Sequence, residues 1–192
     1  MLNKEEKIIQ IVSFSTNDTD QTPNDVLKIL LEQYTHTLIT ESKHALEFNI
    51  VLPKSVETSK IMICSLLDLT REYDGITDVN CYMVFIELQN ENSKKCFESI
   101  ISYIKKYCDL KKEIYVLGMI NKNNKSKEFI SYGNIKKVMK SNKLNYEYIE
   151  INFVKTKIIA DSLLKIFINL TKESKKKSEI KNKGQAHSCN VF

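Results

Sequence analysis

The sequence predicts an α/β fold, a mainly parallel six-stranded sheet flanked by about five helices, and three observations lead there. Cys81 to Ile86 is an unbroken apolar run, too short for a helix and rich in aromatic and β-branched side chains, which is the pattern of a strand buried on both faces. After Leu88 the period changes. Cys96, Phe97, Ile100, Ile101, Ile104 and Cys108 recur at helical spacing behind a polar Asn90-Glu91-Asn92-Ser93 lead-in that can cap the first turn. A second buried strand, Ile114 to Gly118, follows. Strand, helix and strand within about forty residues make a βαβ crossover, which forces the two strands parallel and sets the helix on one face of the sheet.

The other elements hang on this unit in order. Lys7 to Phe14 reads as the first strand, and Pro23 behind Thr22 reads as helix position one behind its cap, opening a helix from Asn24 to Gln33 with Val26, Leu27, Leu30 and Leu31 facing inward. Between them Ser13 to Thr22 is a polar connection without glycine or lysine. Tyr34 to Lys43 is polar and threonine-rich. Ala45 to Leu52 and Ser59 to Cys64 form a hairpin around Pro53-Lys54-Ser55, and the leucine-rich Ser65 to Tyr73 reads as a buried helix or turn. A helix centred on Ile135, Val138 and Met139 precedes the last strand, Tyr146 to Phe153. The closing helix runs from Thr156 to about Glu173 and buries Ile159, Leu163, Phe167 and Leu170. The order β-α-β-β followed by βα repeats is that of one doubly wound sheet.

Composition narrows the class. At 192 residues the chain has the size of one domain with a good core. No apolar run approaches the eighteen or so residues of a membrane span, and the start MLNKEEK is no signal peptide, so the expected location is the cytosol or its membranes. Five cysteines stand singly at 64, 81, 96, 108 and 189, the first four in apolar elements, and read as reduced side chains rather than disulfides or zinc ligands. His36, His44 and His187 are far apart, in expected loops or the tail, so no metal site is expected. The net charge of +5 is uneven: from Lys172 onward six lysines face two glutamates, which leaves the body near neutrality and argues against a nucleic-acid partner.

Two stretches carry a family resemblance. Glu87-Leu88-Gln89-Asn90-Glu91-Asn92-Ser93 and Val116-Leu117-Gly118-Met119-Ile120-Asn121-Lys122-Asn123-Asn124 resemble the fourth-strand turn and the Val-Gly-Asn-Lys-x-Asp segment of Ras-superfamily small GTPases of the Rab type. The resemblance extends loosely over most of the chain and implies a Rab-like G domain over residues 1–173. It also implies where nucleotide chemistry belongs, and there the chain departs. The family's phosphate loop, GxxxxGK[ST], uses glycines for close backbone approach, a lysine for the phosphate charge and a hydroxyl for magnesium. This chain has Ser13 to Thr22, with Asp18 and Asp20 to repel a triphosphate. Thr35, Thr37 or Thr40 stands where a switch threonine would ligate magnesium. In place of Asp-Thr-Ala-Gly-Gln stands Ser65-Leu66-Leu67-Asp68-Leu69, so the metal-linked aspartate is a serine and the water-positioning glutamine a leucine. Asn121, Lys122 and Asn124 are the candidate base-binding residues, with Asn124 a poorer acceptor than the family's aspartate. Where the family writes Glu-Thr-Ser-Ala-Lys, Glu150 is kept and Ile151, Asn152, Phe153 and Val154 replace the rest.

Residues 174–192 lose all periodicity and read as a flexible basic tail. Lys175, Lys176, Lys177, Lys181 and Lys183 precede Cys189-Asn190-Val191-Phe192, which fits a CaaX prenylation signal with Cys189 as lipid acceptor and a geranylgeranyl-type last residue, although Asn190 replaces the usual aliphatic. One lipid with a polybasic stretch gives stable anchoring on an anionic leaflet. Three readings stay open. The first is a prenylated Rab-like pseudo-GTPase, a binding module without cofactor, peripheral on the cytosolic face of an internal or plasma membrane, presenting its surface to effector or adaptor proteins in vesicle trafficking. The second is a divergent GTPase that still binds GTP or GDP with magnesium. The third is a soluble structural subunit of a complex.

Overall fold

The computed structural model describes residues 8–16, 22–41, 45–52, 58–65, 79–120, 128–153 and 155–186. The element order is β1 (Ile8–Ser15), α1 (Thr22–Gln33), β2 (His36–Glu41), β3 (Ala45–Val51), β4 (Thr58–Ser65), β5 (Cys81–Glu87), α2 (Ser93–Tyr107), β6 (Glu113–Ile120), α3 (Tyr132–Ser141), β7 (Glu147–Asn152) and α4 (Thr156–Ala186). One seven-stranded sheet runs β2-β3-β4-β1-β5-β6-β7. From β4 to β7 neighbouring strands are parallel, and β2, β3 and β4 form an antiparallel meander at one end. The chain is therefore α/β with a mostly parallel sheet.

Strand alternation divides the interior into two cores. Along β5, Cys81, Met83 and Phe85 point to the face covered by α1 and α4, where Val26, Leu27, Leu163 and Phe167 meet them. Tyr82, Val84 and Ile86 point to the other face, onto Phe97, Ile101 and Ile104 of α2 and Ile135 and Met139 of α3. Both faces are covered, so Cys81 to Ile86 are all buried, and this is why the strand reads as a continuous apolar run.

The structure corrects several expectations. The sheet has seven strands rather than six, because β2 occupies much of the polar stretch Tyr34 to Lys43, and His36 consequently lies in a strand. His36, Thr37, Leu38 and Ile39 are all exposed, so this edge strand carries none of the burial that makes a strand legible. Among the described residues there are four helices rather than about five; the segment read as a buried helix or turn after Ser65 lies outside them. Helix α1 includes Thr22, which was expected as its cap. At the start of α2 the Asn92 side chain makes no capping bond; Asn90 instead accepts from the Asn92 N–H at 2.9 Å and shapes the turn. Helix α4 does not end near Glu173 but continues to Ala186. Lysine and glutamate are strong helix formers, and a helix already nucleated by its packed half propagates at little cost, so the loss of apolar periodicity in the sequence does not mark the end of the helix.

Four of the five cysteines lie among the described residues. Cys81 is buried, Cys64, Cys96 and Cys108 are half-buried, and all four are free thiols. Burial pushes the Cys108 thiol up to about 11, and burial followed by the Glu47 carboxylate raises that of Cys64, so neither has thiolate character at neutral pH.

Candidate functional site

In doubly wound sheets a ligand crevice opens at the carboxyl ends of the strands where the direction of winding reverses. Here that point is β1. The chain leaves β1 through α1 to build β4 on one side, and β5 then lies on the other side. Among the described residues this edge is closed by Ser15 at the end of β1 and Thr16 after it, Glu87 at the end of β5 and Leu88 after it, Ile120 at the end of β6 and Asn152 at the end of β7.

Thr16 is the centre of the edge, only 4% exposed although it leads out of the strand. Its N–H donates to the Phe85 carbonyl at 3.0 Å, extending the β1–β5 ladder by one residue. Its hydroxyl Oγ1 accepts from the Glu87 N–H at 3.1 Å and lies 3.0 Å from Oγ of Ser93, the first residue of α2, which is fully buried. The Leu88 N–H donates to the Met119 carbonyl at 3.0 Å, and the Leu88 carbonyl accepts from the Phe129 N–H at 2.9 Å. Hydrogen bonds thus knit the carboxyl edge from β1 across β5 to β6 and the approach to α3. Thr16 and Ser93 thus bring two hydroxyls to this point, and they are bonded to each other and to the Glu87 backbone rather than turned outward to a ligand.

Thr16→Val is near-isosteric but leaves the Glu87 N–H and the Ser93 hydroxyl without their buried partner, and is expected to cost about 1–3 kcal/mol of stability, read as a shift in urea midpoint; Thr16→Ser keeps the oxygen and is expected to recover most of it.

The stretch expected to supply a switch threonine is fixed at several points. The Tyr34 hydroxyl donates to Oδ1 of Asp161 on α4 at 3.0 Å, and its ionisation is raised by burial and by that carboxylate. The Thr35 carbonyl accepts from the Val51 N–H at 3.1 Å, Thr37 and Thr40 pair with Asn49 and Glu47 of β3, and Lys28 on α1 meets Glu41 at 2.9 Å. A strand bonded along one side replaces a loop.

Of the other candidates, Asn121, Lys122 and Asn124 lie outside the described residues, directly after β6, as do the loop residues Asn17 to Gln21 and Cys189. Lys175, Lys176, Lys177, Lys181 and Lys183 fall on the helical backbone of α4. The structure shows two features that sequence reasoning passed over. One is the Thr16–Ser93 pair, 77 residues apart, which only the topology reveals. The other is Gly118 in the middle of β6, over which the Tyr148 ring lies so closely that a Cβ would sit 2.3 Å from its hydroxyl. Burial pushes Tyr148 up to about 12, and its ring lies 4.7 Å from that of Tyr132 at the start of α3. A lone glycine inside an apolar strand is a signal of close approach, and it was there to be read. Among the described residues no cluster of histidine, cysteine, aspartate or glutamate is arranged to hold a metal, and no helix is long and apolar enough to cross a membrane. No protein-family model matches the chain, and no curated protein matches it significantly in sequence.

Proposed function

We propose that this chain is a Rab-like pseudo-GTPase, a protein-interaction module of small-GTPase architecture that runs no nucleotide cycle and is held on an anionic cytosolic leaflet by a prenyl group on Cys189 and the lysines of the α4 extension, where it meets effector or adaptor proteins of vesicle trafficking. The observation that carries the proposal is the carboxyl end of β1. In a sheet wound about this strand the ligand crevice belongs there, and Thr16 is instead buried and bonded to Ser93 and to the Glu87 backbone, next to a connection that has neither glycine nor lysine. The pairing of β2 with β3 supports it, because a nucleotide-sensing segment must order and disorder.

A second reading, the divergent GTPase, is favoured by the end of β6: Ile120 closes the strand at the same carboxyl edge and leads directly into Asn121-Lys122-Asn123-Asn124. The two part on nucleotide content. Protein purified natively with magnesium, denatured, and its released small molecules chromatographed, is expected to yield no guanine nucleotide; a near-stoichiometric yield would overturn the pseudo-GTPase reading. In the same preparation from eukaryotic cells, Cys189→Ser is expected to move the protein from the membrane fraction to the supernatant. An unchanged distribution favours the soluble subunit instead.

A further inference from the structure

We infer that the amino edge of the sheet is a membrane-contact surface that lays Leu110, Tyr107 and the lysines around them against an anionic lipid leaflet, an orientation that rests on the membrane-bound reading above and fixes which end of the domain meets the lipid. The amino edge is where the parallel strands begin and where α2 and α3, running back across the sheet, end.

The connection from α2 to β6 is held from beneath. The Asp109 N–H donates to the hydroxyl of buried Tyr82 at 3.1 Å, the Lys111 N–H to Oδ1 of Asp109 at 3.0 Å, and the Lys112 N–H to the Asp109 carbonyl at 3.1 Å. These bonds close a turn with Leu110 and Lys111 at its tip. Turn positions ordinarily go to glycine, proline, asparagine, aspartate or serine. Here a leucine is held outward, 49% exposed, and Tyr107 in the last turn of α2 is 38% exposed.

Lysines surround the two. Lys105 and Lys106 stand in the last turn of α2, with Nζ of Lys106 4.7 Å from the centre of the Tyr107 ring, and Lys111 and Lys112 follow Leu110. Lys140 lies in the last turn of α3 and Lys143 in the connection to β7. The two connections are neighbours: Leu110, Lys111 and Lys112 line one side of a cleft of about 380 Å³, and Asn145, Tyr146 and Glu147 line the other. Among the described residues of these connections, the helix ends before them and the strand starts after them, these six lysines stand against three carboxylates, Asp109, Glu113 and Glu147. Two of the three are engaged, Asp109 in the turn and Glu113 as acceptor from the Tyr115 hydroxyl. The result is an apolar tip in a positive surround.

That combination identifies the partner. Leucine and tyrosine suit the boundary between headgroups and acyl chains, and long lysine stems carry their ammonium groups out to anionic headgroups around them. Protein interfaces, by contrast, are depleted in lysine. Helix α4 points the same way. Its Lys165 and Asn169 share a cleft with Glu147 at the start of β7, so α4 arrives at the amino edge, and the backbone that continues to Ala186 and on toward Cys189 leaves from this end of the domain.

The chain has no tryptophan, so Leu110→Trp places a single fluorescent reporter at the tip. With the full chain made in bacteria, which add no prenyl group, vesicles of phosphatidylcholine containing about one third phosphatidylserine are expected to shift its emission to the blue, and vesicles of phosphatidylcholine alone are not. Ile158→Trp, 57% exposed at the start of α4 on the carboxyl edge, is expected to show no shift. In co-sedimentation with the anionic vesicles, Leu110→Asp and the pair Lys111→Gln, Lys143→Gln are each expected to weaken binding about tenfold. The pair Lys155→Gln, Lys157→Gln removes the same charge at the carboxyl edge, beyond the reach of screened attraction, and is expected to change binding by less than about twofold. All these positions are exposed, so circular dichroism stays unchanged. A tip reporter that does not shift, or equal losses from the two lysine pairs, would overturn the inference, the second outcome leaving net charge or the α4 extension to attract the lipid. Leu110→Asp binding vesicles like wild type would overturn it too and assign the tip to a protein partner. No prenyl group enters the assay, so an unmodified Cys189 in cells would remove the proposed anchor and leave this surface standing.

Discussion

Replacing Phe167 by alanine is expected to destabilise the protein by about 3–5 kcal/mol, a large share of the 5–15 kcal/mol that holds a typical domain folded. Phe167 is fully buried on α4 and meets the ring of Phe48 on β3 edge-on, with centroids 6.2 Å apart and planes at 68°. The pair joins the closing helix to the antiparallel end of the sheet, and α1 packs into the same core through Val26, Leu27 and Leu31. Truncation removes the ring's burial and leaves a cavity that two strands and two helices cannot all close. The measurement is the urea midpoint of the variant against wild type. Ile158→Ala on the same helix, at a position 57% exposed, serves as control and is expected to change stability by no more than about 0.5 kcal/mol. Because the Phe48 and Phe167 rings touch, Phe48→Ala and Phe167→Ala should be non-additive, with a coupling of about 0.5–1.5 kcal/mol.

Much of this packing was legible in the sequence. Phe167 belongs to a helical stripe with Ile159, Leu163 and Leu170, all of them buried, and the runs at β5 and β6 announced the middle of the sheet. These elements are readable because burial on a regular element leaves a period. Where burial fails, the period fails with it. Strand β2 is exposed at His36, Thr37, Leu38 and Ile39, so its composition is that of a loop, and its conformation is set by hydrogen bonds to β3 that no local pattern reports. The far half of α4 is the helical counterpart. Its residues lack an apolar stripe yet remain helical to Ala186, since periodicity measures what a helix packs against and says little about whether the backbone is helical.

The candidate site was legible as chemistry missing and illegible as structure present. Absence of glycine and lysine between Ser13 and Thr22 can be read directly. That Thr16 reaches Ser93 cannot, because their encounter depends on β1 lying beside β5 and on α2 starting at the carboxyl edge, facts of topology rather than of spacing. Two hydroxyls of ordinary residues, one in a connection and one in a helix lead-in, carry no distinguishing signal until the strands are in place.

Gly118→Ala is the second substitution expected to act strongly, and its partner variant gives it a sign that can reverse. A Cβ at 118 would stand 2.3 Å from the Tyr148 hydroxyl and 2.9 Å from two ring carbons, closer than any packed contact. Relief is limited on both sides. The backbone of β6 is bonded to β5 and β7, and the Tyr148 ring is half-buried against Tyr132. Overpacking of this kind costs about 1–3 kcal/mol, and Gly118→Val, with two further carbons, is expected to cost more. Tyr148→Ala removes the obstructing ring. In that background Gly118→Ala should no longer destabilise and should gain about 0.4–1 kcal/mol, because alanine restricts the unfolded chain more than glycine does and suits a strand at least as well. The four stabilities, from urea unfolding, form a double-mutant cycle. A cost that persists without the Tyr148 ring would mean that the glycine is needed for something else, and the nearest candidate is the segment it leads into, Asn121 to Asn124. A cost that disappears assigns Gly118 to packing, and the one glycine shared with the Val-Gly-Asn-Lys pattern then needs no nucleotide to explain it.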